Sequence, residues 1–452
     1  MPPKIDRLSA CLLAGLLVLA PLFLGGRPPL PLMVLEVMGL ALFVLLILTP
    51  KALAPLRRWP LILLLLIPLV QLIPLPLALW QMMPGRGDYA SLMESAVPHV
   101  MNFLPLSLVP VSTESSFVGL LIFLAVLLTI LVESQHRLKT WVLIALGVGL
   151  FEAVLGLAQY GGGPLSLLRF GPGFGSPSAV GTYTNRDHLA GLLEMLIPLS
   201  VAMLFASFRR EEVAGTLKGW QNKLASLRFS GTFTYAAVFL LLILALIFTQ
   251  SRAGIFLMLL GIFLCLTLFA RRLGGNQSMG IGGTVSIIAL LAAFEVGLIP
   301  VLSRFILEDP LQDLRWPMVS GLIQHLPNFL PFGSGLGTFG EVFERFQTAA
   351  LNGFYINHAH NDVLEFLFEG GLIAALVLIL FLLAYMRQWR RFWPQGRWHS
   401  HHFIQAGAGV SILLMGLHSL VDFNLHVPAN LIYFALVIGL FFHEGSPRTR
   451  PS

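Results

Sequence analysis

Three short stretches of this 452-residue chain hold the residue types that do chemistry. The first runs Thr182, Tyr183, Thr184, Asn185, Arg186, Asp187, His188, and the second Thr249, Gln250, Ser251, Arg252, Ala253, Gly254. The third is Asn357, His358, Ala359, His360, Asn361, Asp362, with Glu365 and Glu369 behind it. Arg186 and Arg252 are planar, permanently charged forks, suited to hold a phosphate or diphosphate by paired hydrogen bonds. A neutral loop histidine, His360 or His358, is suited to take a proton from a hydroxyl. Each stretch also has a plainer reading. Arg186 can snorkel to lipid headgroups, and Arg252 can bind helix-end carbonyls. Asn361 or Asp362 can cap a helix whose N-terminus suits the acids that follow. His358, His360 and Asp362 also have metal-site spacing, but only scattered further ligands exist (His188, His325, His426), so no metal is expected.

The elements that must position these groups are membrane helices. AVILMFWYC make up 56% of the chain and charged residues 11%, against about 25% charged in a soluble domain. That excludes a soluble enzyme, a disordered chain and a disulfide-stapled secreted domain. The net charge of +6 signals no nucleic acid, because the basic residues fall in short clusters between apolar runs. Cys11 and Cys265 lie inside apolar runs and need no disulfide. The expected fold is an all-α polytopic membrane protein of about twelve transmembrane helices. The spans are 8–25, 31–49, 59–80, 116–132, 140–159, 189–207, 233–250, 254–270, 281–302, 364–386, 403–420 and 429–443. The first resembles a signal peptide but lacks a clean cleavage site, so it is read as retained.

With the N-terminus cytoplasmic, 20 Lys and Arg fall on the inner side, including all five lysines, and 8 arginines on the outer. This is the positive-inside asymmetry. The three chemistry-bearing stretches then face outward. One large outer loop, 303–361, carries Arg315 and two runs, 322–326 and 339–343, that suggest short amphipathic helices on the membrane surface. A second outer loop, 81–115, is rich in proline. Four acids, Glu36, Glu152, Glu194 and Glu295, fall within the spans. Intramembrane acids raise the alternative of an ion-coupled secondary transporter. Such a transporter should show two repeated halves with matched broken helices, and no such repeat is visible. Glu194 and Glu295, close to the outer mouth, are candidates to pair with Arg186 or Arg252.

In this order and on this many spans, the stretches resemble the O-antigen ligase/polymerase family of bacterial envelope glycosyltransferases. Residues 184–194 look like its Asn-Arg-x-His segment and Ser251-Arg252 like its Ser-Arg turn. Residues 331–339 are similar to the glycine-rich part of its large loop. His360-Asn361 followed by Gly371 resembles its His-Asn-x9-Gly pattern, with Ala374 standing where Gly, Thr or Tyr is usual. Residues 418–428 resemble a late Asp-Phe-x-x-x-x-Pro segment. The resemblance covers about 180–440, leaving residues 1–180 as five helices without a usable motif. It implies a GT-C-like, inverting enzyme of the inner membrane with its site facing the periplasm. The enzyme would move a glycan from undecaprenyl diphosphate to lipid A–core or a growing surface polysaccharide, without a cofactor. Arg186, Arg252 and His360 would be catalytic. His358, Asn361, Asn185, His188, Ser251 and Arg315 would bind substrate. The chain lacks Asp-x-Asp, the metal-holding motif of many soluble sugar transferases, and arginines can neutralise a diphosphate instead.

Overall fold

The computed structural model describes residues 3–49, 59–96, 102–169, 175–214, 231–273, 315–348, 351, 353–392 and 398–444. The first helices are α1 (Pro3–Leu22), α2 (Pro29–Ile47) and α3 (Trp59–Gln71). The short α4 (Leu77–Trp80) and α5 (Gly87–Ala96) lie in the loop that follows. Next come α6 (Pro110–Val132), α7 (Gln135–Gly161), α8 (Arg186–Ala214), α9 (Gly231–Thr249) and α10 (Arg252–Leu273). The rest are α11 (Arg315–His325), α12 (Phe339–Phe343), α13 (Asp362–Phe392), α14 (Ser400–His418) and α15 (Pro428–Phe442). Prolines open α2, α6 and α15, where the missing N–H costs nothing. The strands β1 (Pro74–Pro76) and β2 (Phe103–Pro105) pair antiparallel, Leu75 opposite Leu104.

Eight of the described helices are long and apolar enough to cross a membrane, and Pro60–Gln71 and Pro428–Phe442 are apolar but shorter. The protein is an all-α polytopic membrane protein. The expected span 281–302, with Glu295, lies outside the described residues. The span expected at 59–80 stops at Gln71 instead, because Pro74 and Pro76 enter the β-ribbon. Apolar composition there is real, but two prolines two apart suit an edge strand and not a helix.

Lipid gives helices no hydrophobic reason to associate, so close packing and interhelical hydrogen bonds hold the bundle. At its centre is α8, buried throughout 188–206 and packed by α14, α9, α10 and α7. Pro198 interrupts α8, and a Cβ on Gly407 of α14 would stand 2.8 Å from its carbonyl oxygen. Glycine there lets the two helices touch, and Ser411 Oγ donates to the Met195 carbonyl at 2.6 Å.

The helix ends sort into two sets. At one end Ala179 N–H donates to the Phe248 carbonyl at 2.8 Å, and Asp362 N–H to that of Asp422. The α1–α2 turn, with Gly25 against Tyr183 and Val427, joins the same end. At the other, Arg137 meets Asp6 at 2.9 Å and His443 Nε2 meets the Glu133 carbonyl at 2.7 Å.

The described parts of loops 81–115 and 303–361 pack together as one cap. Helices occur at both expected runs, but Leu322, Phe339 and Phe343 bury against Phe329 and Phe368, with Tyr89, Leu108 and Val109 packed alongside. These apolar side chains share one cluster, while Ile323 of α11 stays exposed. Two arginines are spent on backbone carbonyls, one in this cap and one beyond α7. Arg86 is fully buried and donates to the carbonyls of Pro84, Leu106 and Gly333; Arg169 donates to those of Gly163, Gln159 and Ser178.

The cap grips α13 at a break. Gly371 has φ 60 and ψ −145, so Asp362–Gly370 is a separate helical segment. Residues 331–336 thread along the break, where a Cβ on Gly333 would collide with the Glu369 carbonyl and one on Gly371 with that of Pro331. Gln71 at the end of α3 closes the joint. Its Nε2 donates to the carbonyls of Phe332 and Glu369, and its Oε1 accepts from Leu336 N–H.

Candidate functional site

Three motif residues turn out to be helix caps. Asn185 Oδ1 accepts Asp187 N–H at 2.9 Å at the start of α8. Ser251 Oγ accepts Gly254 N–H at 3.2 Å at the start of α10, and Asn361 Oδ1 accepts Leu364 N–H at 2.9 Å at the start of α13. Each satisfies an amide that the helix leaves unpaired. Arg186, Arg252 and Asp362 therefore occupy first helical positions. A cation at a helix N-terminus opposes the macrodipole, so two arginines placed there are costly without an anion beside them.

His358 and His360 sit between α12 and α13, each held through Nδ1 by a different carboxylate. His358 meets Glu365 Oε1 at 2.9 Å, and the other Glu365 oxygen accepts Ala359 N–H at 2.7 Å. His360 meets Asp422 Oδ1 at 2.9 Å, an oxygen that also accepts Phe423 N–H. Its side chain is 27% exposed against 2% for Asp422. His360 has φ 49, the left-handed region, at a cost of about 1–2 kcal/mol for a side chain with a Cβ. Burial works to raise the Asp422 pKa. The hydrogen bond from His360 and the nearby His188, His418 and Arg315 outweigh it and hold the carboxyl well below the usual range.

A third histidine completes the group. His426, just before α15, meets Asp362 Oδ1 through Nδ1 at 2.6 Å and Glu365 Oε1 through Nε2 at 3.2 Å. Asp362 Oδ2 in turn accepts Ser419 Oγ–H and Leu425 N–H. Burial lowers the His426 pKa, but Glu365 and Asp362 overcome it and raise it to about 10. His358 moves the opposite way, lowered by burial first and by His426 second. The two histidines are thus pushed in opposite directions, with 4.5 Å between their ring centroids.

Phe423 is the platform of the site. The rings of His358, His360 and His188 lie 4.5, 4.7 and 4.8 Å from its centroid. His188 is buried behind it, with no hydrogen-bond partner for either ring nitrogen among the described residues. Deeper still, Glu194 pairs with His418 at 2.9 Å, both buried. The expectation that Glu194 pairs with Arg186 or Arg252 is corrected: His418, on the facing helix α14, reaches it. Glu152 accepts both the amide and the hydroxyl of Thr182, so it fastens the segment leading into α8.

The expected residues are therefore gathered unevenly. His358, His360 and His188 meet at Phe423, Asn361 donates to the Leu420 carbonyl, and Arg315 lies near enough to act on Asp422. Ser251 and Arg252 start a helix packed on α8, with Gly254 against Ala190. The sequence named His426 only among scattered candidate metal ligands and assigned no role to Asp422 or Arg27. His426 and Asp422 lie inside a quoted segment, and Arg27 has no motif at all. The ligand set closest to a metal site is His358, Glu365 and His426, whose ligating atoms lie within 4.8 Å of one another. It is not the set the spacing suggested, because His360 turns to Asp422.

Among curated proteins none matches the chain. Residues 237–379, from α9 into α13, match the family model described as O-antigen ligase. That stretch contains Ser251 and Arg252 at the start of α10, Arg315 at the start of α11 and the loop residues His358 and His360, and its glycine-rich loop is the one gripping α13. On this match, the stretch from α9 into α13 is similar to the O-antigen ligase family, and the apolar helices around it fit that likeness.

Proposed function

We propose that the chain transfers a glycan from undecaprenyl diphosphate to a hydroxyl of lipid A–core or of a growing surface polysaccharide, on the periplasmic face of the inner membrane. Arg186 and Arg252 neutralise the diphosphate, which makes it a good leaving group. His360 Nε2 takes the acceptor proton as the hydroxyl oxygen attacks the anomeric carbon. The carbon–oxygen bond to the diphosphate breaks on the opposite face, so the configuration inverts. Asp422 fixes the His360 ring and stabilises the imidazolium that forms. Neutral His358 is positioned to orient the acceptor. Asn185, Ser251 and Asn361 act indirectly, by capping the helices that carry the charged groups.

The single observation that carries this reading is the half-exposed His360 held at 2.9 Å by buried Asp422. The test is in vitro transfer with purified protein, lipid-linked donor and acceptor. His360→Ala should lose on the order of 10²–10⁴-fold in rate, with donor binding retained. EDTA should change nothing. Activity lost to EDTA and restored by a divalent ion would favour a metal at His358, Glu365 and His426 instead. Near-normal turnover in His360→Ala would remove it as base.

A further inference from the structure

We propose that Arg27 is a diphosphate-binding arginine of this site, gripping the phosphate next to the sugar. The proposal deepens the reading above and rests on it. Arg27 lies in the turn between α1 and α2, far from the 237–379 match, and nothing in the sequence marked it.

Four observations converge on it. Its guanidinium carbon stands 5.6 Å from the Phe423 centroid, so it shares the platform that carries His358 and His360. Among the described residues its guanidinium has no hydrogen bond or ion pair, unlike Arg86 and Arg169, whose donors are spent on carbonyls. The turn behind it is specified with care. Leu24, Gly25 and Gly26 have φ 56, 69 and 78, three successive left-handed residues. Gly25 packs on Tyr183 and Val427, and Gly26 on Leu35 and Pro428, so side chains at either position would displace the turn. Finally, Arg27 is half-buried, and burial lowers its pKa more than nearby Asp422 raises it.

A partly desolvated guanidinium with five donors and no acceptor is an anion site. Its share of the platform fixes which anion. A hydroxyl activated at His360 attacks the anomeric carbon, and the phosphate leaving from that carbon must be close by. Arg27 on the same ring suits that sugar-proximal phosphate. The plainer role, balancing the charge of Asp422, predicts something different, because it would act through His360 and not on donor affinity.

The experiment uses full-length protein in nanodiscs of zwitterionic lipid and measures binding of labelled undecaprenyl diphosphate, with donor KM and kcat in parallel. Arg27→Gln should weaken undecaprenyl diphosphate binding about 10- to 100-fold, the range of a charge-assisted hydrogen bond. Donor KM should rise in step and acceptor KM should stay. Arg27→Lys should recover part of the affinity, since it restores charge without the fork. Unchanged binding in a folded Arg27→Gln, with only kcat or its pH profile altered, would overturn the proposal in favour of Asp422 balancing. Displacement of the label by equimolar phosphatidylglycerol would also overturn it, marking a general headgroup site. If the wild type itself binds no undecaprenyl diphosphate, the transferase reading falls and Arg27's role with it.

Discussion

His358 and His360 stand two residues apart, yet different carboxylates hold them, one seven residues on and the other sixty-two. The histidines were legible because two in one short turn exceed what a helix cap needs. Asp422 and His426 were not, because no local spacing marks a partner brought in by tertiary packing. The same holds for His418, the partner of Glu194. If Asp422 works only through His360, Asp422→Asn should cost transfer a factor of the same order as His360→Ala. The double variant should lose little more, since the two act as a unit. Additive losses in a double-mutant cycle would separate them. His426 makes a stability prediction. Its folded pKa, about 10, lies above the ordinary 6.5. Stabilisation from its pairing with Asp362 and Glu365 is therefore fully present below pH 6.5 and lost as pH rises toward 10. Melting temperatures at pH 6, 8 and 10 should fall in that order, and His426→Gln should flatten the decline.

At the scale of elements, the caps explain why the motifs have their order. In each, a capping Asn or Ser precedes a charged residue, so the sequence carries both the helix start and the group it presents. Ser251→Ala should cost about 1 kcal/mol of stability and lower transfer by loosening Arg252. Ser251→Gly should cost only a few tenths and keep most activity. Equal melting temperatures for Ser251→Ala and wild type would show that the cap is idle. The break in α13 was less legible. Residues 364–386 read as one apolar span, and only the left-handed Gly371 splits it. The glycine-rich loop had a family likeness but no visible reason for its glycines until Gly333 met the Glu369 carbonyl. Gly333→Ala must hold a Cβ at φ 80 against that carbonyl, which should cost more than the 1–2 kcal/mol of left-handed strain alone. Thermal unfolding of the purified variant measures it.

Across the described residues the helix ends form two sets, and the sequence count of 20 inner against 8 outer Lys and Arg proposes a side for each. Parity says which groups share a side, while charge says which side that is. The positive-inside rule counts Lys and Arg in short loops, and Lys4 and Lys139, the lysines among the described residues, stand at the helix ends away from Phe423. Glu344 in the cap and His136 in the first turn of α7 are both exposed and belong to opposite sets. With Cys11 and Cys265 replaced, a cysteine at Glu344 should react with an impermeant thiol reagent added outside spheroplasts. A cysteine at His136 should react only after the membrane is opened. The placement also decides the chemistry, because lipid-linked donor and acceptor hydroxyl must meet where His360 is open to water. Labelling of both cysteines from the outside would break the parity. Labelling of His136→Cys alone would invert the molecule, leave the histidines facing the cytoplasm, and exclude a periplasmic transferase however well the site is built.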